Sequence, residues 1–447
     1  MILYGTETAK ALSNFGKGVL PRTLVSAYAD VKKACLSSIQ ETENYFENEI
    51  FSAIIEALDE IRDGRHADQF VINLKQGGAG TSINMNINEV TASLAARLFF
   101  EKSGRTVFID PIEDINRYQS TNDTFPSAVT IELLRKLNTA EECVIALQEI
   151  LVRKETEFDN VIMTGRTEMQ DALPMTAGHL FASWAGMIER DRWRINKIKE
   201  RFRTVPLGGT AIGTSFGATR KYVFCAEKNI RMLTGLPLSR SQNFTDEISS
   251  CDKYSELANC MKIIAENIYK ITGDLLFYTS SAVNEIDHNH MQYGSTIMPA
   301  KKNPVILEFA RGLSIDIQHN CQKVSAYSAN SQLQLNPYLP FIADAFEDIF
   351  ESAIHMIDSL ADKFFSDIKL NLPVIEKNFI LSNAVINALL PVFGYNRLKE
   401  IYMIIEKIKP GTKNELLGIL SVELKVSEEE IRDLFERSYL TSYMREK

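Results

Sequence analysis

Helix length is the feature that most constrains how this chain can fold. Apolar residues recur at threes and fours through "LVSAYADVKKACLSSIQETENYFENEIFSAIIEALDEI", predicting a helix over 22–61. The same period returns at 125–156, 176–201, 216–234, 250–279, 304–330 and 338–364, and it is the period of a helix that buries one face. Strand patterns are nearly absent. Helices of this length exceed the ordinary globular mean, so they are expected to pack as a long bundle, across subunits as well as within one. At 447 residues the chain is too long for one ordinary core. The expected fold is therefore all-α, with an N-terminal mainly helical domain at 1–115, a central long-helix bundle at 116–370 and a small C-terminal helical domain at 371–447. In that last part Ser427, followed three residues later by Glu430, has the spacing of a capping box opening a short helix.

Charge and cysteine usage narrow the function classes. A formal net charge of −9 gives no support to a nucleic-acid or anionic-membrane partner, but it leaves room for an anionic substrate, because a small site responds to its local field. The N-terminus lacks a basic segment followed by an apolar core, and no run approaches the length of a membrane span. A soluble cytoplasmic protein is the expectation. The six cysteines, at 35, 143, 225, 251, 260 and 321, have no CxxC spacing and read as reduced thiols. His288 and His290 stand two apart, but no HExxH accompanies them, and no metal is expected.

Four polar tracts marked by glycine or proline interrupt the helices: "GGAGTSINMNINEV" at 77–90, "QSTNDTFP" at 119–126, "TGRTEMQDALPMT" at 164–176 and "YGSTIMPAKKNP" at 293–304. Any one of them could serve only to cap helices and shape turns. Together they supply what a small dicarboxylate needs, namely several neutral donors for each carboxylate and a full positive charge. There is no GxxxxGK[ST] phosphate loop and no G-x-S-x-G elbow with a histidine partner, so nucleotide binding and serine hydrolysis lack their residues.

These tracts resemble, in order and along essentially the whole chain, the shared regions of the aspartase/fumarase superfamily, and its aspartase branch most closely. "YGSTIMPAKKNP" looks like the signature GSSxMPxKxNP with Thr296 in place of the second serine; "YGTETAKALSNF" and "VPLGGTAIGT" resemble two further shared segments. The resemblance implies a homotetramer around a twenty-helix core, each active site assembled from three subunits, with no cofactor. It implies that Ser295, as an alkoxide, removes the proton from carbon. It implies that Thr81, Ser120, Thr121 and Asn122, helped by Thr296, bind one substrate carboxylate and the amino group. Thr167, Lys301 and Asn303 match the clamp on the other carboxylate, and Met298 is a signature residue of the mobile loop. Such chemistry suits these residue types, because charge developing in an aci-carboxylate calls for oriented donors and a cation, and Lys301 can supply that field.

Two departures stand out. Glu168 occupies a position that holds histidine in fumarases and histidine or glutamine in aspartases, and Glu308 matches the glutamate that partners it. Two facing carboxylates repel unless a proton or cation sits between them. That cation can be an ammonium on the substrate or a basic side chain of a neighbouring subunit. Upstream of the signature the chain reads "YTSSAVNEIDHNHMQYG", without the family's GPRxG stretch. The expected activity is elimination of ammonia from L-aspartate or a related amino-dicarboxylate to give fumarate or an analogue. The alternatives are a lyase for an N-substituted aspartate, a fumarate hydratase and a catalytically silent paralogue.

Overall fold

The computed structural model describes residues 2–288 and 291–435; His290 and residues 436–447 of the expected C-terminal domain lie outside them. In chain order the helices are α1 (Thr6–Phe15), α2 (Arg22–Glu43), α3 (Asn48–Arg62), α4 (Thr81–Ser103), α5 (Thr121–Glu157), α6 (Ala177–Lys199), α7 (Arg220–Thr234), α8 (Phe244–Ser249), α9 (Asp252–Thr279), α10 (Val305–Ser328) and α11 (Leu339–Ser359). Shorter helices follow: α12 (Leu372–Ile380), α13 (Asn383–Asn387), α14 (Leu390–Phe393), α15 (Tyr395–Ile408), α16 (Lys413–Leu424) and α17 (Glu428–Asp433). Three two-stranded ribbons interrupt them: β1 (Ile162–Thr167) with β2 (Gln170–Thr176), β3 (Thr204–Val205) with β4 (Ser239–Arg240), and β5 (Ile286–Asp287) with β6 (Lys369–Leu370). The fold is mainly helical, and among the described residues no helix is long and apolar enough to cross a membrane.

The helix expected over 22–61 is two helices. Asn44 takes a left-handed conformation (φ 50°) and returns its N–H to the carbonyl of Gln40, which closes α2; asparagine tolerates that conformation better than most side chains. The hairpin β1–β2 occupies a tract in which periodicity gave no strand. The capping box is present, with Ser427 accepting from Glu430 N–H and the Glu430 carboxylate accepting from Ser427 N–H at 2.8 Å.

The chain divides into two compact units, each assembled from separated segments. The first comprises 1–142, 192–265 and 314–354. Here α2 packs on α3 and α7, burying Leu24, Tyr28, Val31, Cys35 and Ile39. Helix α4 is buried on most of its faces, including Asn84, Asn86 and Asn88, and its Glu89 accepts three backbone N–H groups at the amino end of α1. The second unit comprises 143–191, 266–313 and 355–447. Its aromatic core joins Phe158, Phe181, Trp184 and Phe365. Near the C-terminus Leu389, Ile401, Leu417, Leu420 and Ile431 close a further apolar cluster. The six cysteines form no disulfide with one another.

Candidate active site

In the first unit the amino ends of α4 and α5 are held side by side. Gly78, Ala79 and Gly80 all have left-handed φ values (86°, 56° and 94°), a run that glycine makes accessible and alanine tolerates at a cost. A Cβ on Gly80 would stand 2.7 Å from the Phe125 ring, so the bare backbone lets α4 start directly against the first turns of α5. Thr81 follows, exposed, its hydroxyl donating to Gly78 O at 2.8 Å. From the next turn Asn84 Nδ2 donates to Thr121 Oγ1 at 3.2 Å and to Asn116 Oδ1 at 3.0 Å. Ser120 Oγ accepts from Asn122 N–H, and Asn122 Nδ2 donates to Ala211 O at 2.8 Å. Thr81 and the triplet 120–122 are thus brought together, with the segment at 205–214 as a third wall.

Sequence reasoning passed over two buried groups here. Asp123 is fully buried and accepts three backbone hydrogen bonds, Oδ1 from Ser120 (2.9 Å) and Oδ2 from Gly208 (3.2 Å) and Thr210 (3.0 Å). It ties the 119–126 tract to the 205–214 segment. Burial pushes its carboxyl up to about 6, although the three N–H donors pull the other way. Lys32 on α2 is also fully buried, and its ammonium donates to two amide oxygens, Gln119 Oε1 at 2.8 Å and Asn116 Oδ1 at 3.0 Å. With no carboxylate bonded to it among the described residues, burial pulls Lys32 down to about 7. The signal for both was available, since an Asp immediately follows the "STN" triplet and a lysine sits on the apolar face of a helix.

In the second unit the hairpin β1–β2 carries Thr167 and Glu168. Its turn is Glu168–Met169, both left-handed (φ 53° and 60°), between the paired residues Thr167 and Gln170. That is the geometry of a type I′ turn, where Asn-Gly is the comfortable choice. Two ordinary side chains held there mark a strained position of the kind found at functional sites. Arg166 anchors the strand, its guanidinium forking onto Glu285 at 2.9 and 2.6 Å, and Asn378 Nδ2 donates to the same carboxylate at 2.9 Å. Glu285 belongs to the "NEI" that leads into the signature loop.

That loop, at 293–304, is closed by its own backbone. A Cβ on Gly294 would lie 2.1 Å from Lys301 O, and Asn303 Nδ2 donates to Gly294 O at 2.9 Å. Ser295 Oγ accepts N–H groups from Ile297 at 3.2 Å and Met298 at 3.1 Å. Two backbone dipoles therefore point at the Ser295 hydroxyl. Thr296, Met298 and Lys301 are exposed, as is Glu308 in the first turn of α10. Among the described residues no hydrogen bond or ion pair joins Glu168 to Glu308, or the β1–β2 turn to this loop. Glu168 instead lines a cavity of about 870 Å³, with Tyr269, Gly273, Phe277 and Arg311 among its walls.

A family model described as Lyase matches residues 3–318. The chain is 33% identical over 451 residues to an aspartate ammonia-lyase of Helicobacter pylori (strain ATCC 700392 / 26695), covering 99% of this chain and 95% of that protein. It is 31% identical over 444 residues to the aspartate ammonia-lyase of Escherichia coli (strain K12), covering 97% and 91%. Among solved structures it is similar to a fumarate lyase:delta crystallin from Brucella melitensis bound to cobalt, with a TM-score of 0.90 at 30% identity over 98% of this chain and 95% of that one. A recombinant class II fumarase from Schistosoma mansoni superposes with a TM-score of 0.91 at 25% identity, over 99% and 96% of the two chains.

Proposed function

The chain belongs to the lyase family, on the aspartase branch of the aspartase/fumarase superfamily, and from that premise we propose that it is an ammonia-lyase. It eliminates ammonia from L-aspartate, or a close amino-dicarboxylate relative, to leave fumarate or its analogue. The observation that carries this reading is the pair of N–H groups, from Ile297 and Met298, aimed at Ser295 Oγ. Serine is a poor base in water, and oriented donors favour its alkoxide.

In this reaction the Ser295 alkoxide takes the proton from the carbon adjacent to the C–N bond. The C–H electron pair moves into the neighbouring carboxylate, giving an aci-carboxylate, and returns to form the double bond as the C–N pair leaves with nitrogen. Lys301, Asn303 and Thr167 clamp the carboxylate that gains charge. Thr81, Ser120, Thr121 and Asn122, with Thr296, hold the other carboxylate and the amine, and Met298 shapes the loop. Glu168, with Glu308 as its family partner, faces the departing nitrogen. Thr81, Thr167 and Ser295 come from three tracts separated by long helices, and a homotetramer in which three subunits each contribute one tract unites them.

The test is turnover by the purified full chain of L-aspartate, N-substituted aspartates and malate, followed by ultraviolet absorbance and mass spectrometry. S295A is expected to lower elimination by roughly 10²–10⁴-fold while leaving the oligomer intact. Near-normal turnover by S295A removes the base assignment. The likeness to a class II fumarase keeps hydration of fumarate as the second reading, and product from malate alone would select it. Glu168 in place of the fumarase histidine weighs against it.

A further inference from the structure

Behind the 119–126 tract runs a chain of amides that begins at a buried lysine and ends at a threonine hydroxyl. Lys32 Nζ donates to Gln119 Oε1 at 2.8 Å and to Asn116 Oδ1 at 3.0 Å. Asn116 Oδ1 also accepts from Asn84 Nδ2 at 3.0 Å and from Asn88 Nδ2 at 3.3 Å, while Asn116 Nδ2 donates to Gln119 O at 3.1 Å. Asn84 Nδ2 donates in addition to Thr121 Oγ1 at 3.2 Å. Lys32, Asn84, Asn88 and Thr121 are buried within one protomer, so what surrounds them does not depend on how protomers assemble.

The sense of each bond follows from the first. An ammonium donates and never accepts, and the neutral amine still has a hydrogen for each of its two acceptors. Gln119 and Asn116 therefore turn their oxygens to Lys32. The Asn116 oxygen can receive only donors, which turns the NH₂ groups of Asn84 and Asn88 toward it. Thr121 then accepts from Asn84, and its one proton is free of that residue. This sense is held although it leaves Asn84 Oδ1 and Asn88 Oδ1 without a partner among the described residues. With the Asn84 and Asn116 amides flipped, Asn84 Oδ1 would accept both the Asn116 NH₂ and the Thr121 hydroxyl, drawing that proton inward. Lys32 opposes the flip, because its N–H groups would then face an NH₂.

We propose that Lys32 is a positioning residue for the substrate, setting the direction of the hydrogen bonds that leave the Thr121 hydroxyl as a donor to a carboxylate. The inference rests on the lyase reading above, in which Thr121 helps hold the carboxylate that gains no charge. Lys32 touches no reacting atom and acts through Asn116 and Asn84. A carboxylate that gains no charge is held equally in the ground and transition states, so the contribution of Lys32 falls on KM and not on kcat.

The experiment is a double-mutant cycle on the full-length oligomer, K32M against T121V, with kcat and KM measured for the aspartate derivative that the unsubstituted protein turns over fastest. K32M is expected to raise KM roughly tenfold with kcat within about threefold. In the T121V background, where the hydroxyl is already gone, adding K32M should raise KM by less than about threefold further. The same tenfold rise in both backgrounds, a fall in kcat alone, or an unchanged KM in K32M overturns the role, since a general loosening of the fold lowers the active fraction and is indifferent to Thr121. If K32M fails to assemble, K32Q replaces it. An amide there offers either an oxygen or an NH₂ and fixes no direction, so KM is expected to rise in the same Thr121-dependent way, and a rise independent of Thr121 overturns the role. No turnover of any aspartate derivative or of malate by the unsubstituted protein removes the lyase reading and this inference with it, whereas an active enzyme whose two losses multiply removes the inference alone.

Discussion

Asp123→Asn separates the stability of the fold from the order of the turn at 119–126. The side chains have the same shape, but asparagine brings one oxygen and one NH₂ to a pocket with three backbone donors. If its oxygen faces Gly208 and Thr210, the NH₂ is left opposing the N–H of Ser120; the reverse orientation loses two bonds in place of one. The better orientation forfeits one bond to a charged acceptor, worth about 1.5–3 kcal/mol, and strands a donor at about 1–3 kcal/mol. Against this, the Asp123 carboxyl stands at about 6 even with all three donors in place, so burying its charge costs the folded state more than those bonds return, and removing the charge relieves that cost. The two nearly cancel, and D123N is expected to change global stability by less than about 2 kcal/mol. The local effect does not cancel. Hydrogen exchange at the Ser120 amide should accelerate by roughly 10–100-fold, with a parallel loss in kcat/KM. The sign of the pH dependence follows from the raised value, because the folded state binds the proton more tightly. Asp123 thus makes the protein less stable as pH rises from about 4 to about 6, and D123N should flatten that slope. Unchanged Ser120 exchange in D123N, with full activity, would refute the claim that Asp123 holds the turn.

Lys32 acts in the opposite direction: burial lowers it to about 7, the unfolded chain binds the proton more tightly, and stability should rise between about pH 7 and 10 by up to ~1.4 kcal/mol per pH unit for each protomer. K32M should abolish that rise in chemical denaturation, and an unchanged slope would refute the assignment. Replacing Glu168 by glutamine should lower the kcat/KM ratio of an N-substituted aspartate over aspartate by roughly tenfold if the carboxylate selects the amine; an equal ratio across pH 6 to 9 would count against that role. Mixing inactive S295A with inactive T167A should restore activity once subunits exchange, and a fully active monomer would contradict a shared site.

The fold class was legible because long apolar periodicity is hard to satisfy any other way. Its interruptions were less so. Asn44 ends α2 through a backbone conformation that asparagine permits without requiring, so the apolar period ran on unbroken. The hairpin at 162–176 was missed because its turn is Glu168–Met169, which carries none of the usual turn chemistry, and because "GRTEMQDALPMT" lacks clean alternation. In the candidate site, hydroxyls and amides stood out as donors grouped in tracts. Asp123, Lys32 and the Arg166–Glu285 pair did not, because their roles depend on burial and on partners up to 119 residues away, which spacing cannot report.

Gly294 has a consequence for how such a site changes over a lineage. Its missing side chain lets the backbone meet at Lys301 O, and the Asn303 amide locks the junction, so the loop is closed by main chain and by residues at its two ends. The side chains between those ends, among them Ile297 at 85% exposure, bear little of the closure. Selection can exchange them one at a time, as threonine stands for serine at 296, without reopening the ring that presents Ser295. The glycine and the asparagine, with Ser295 and Lys301, are where drift stops, and the other residues between the two ends are where a new substrate can be tried.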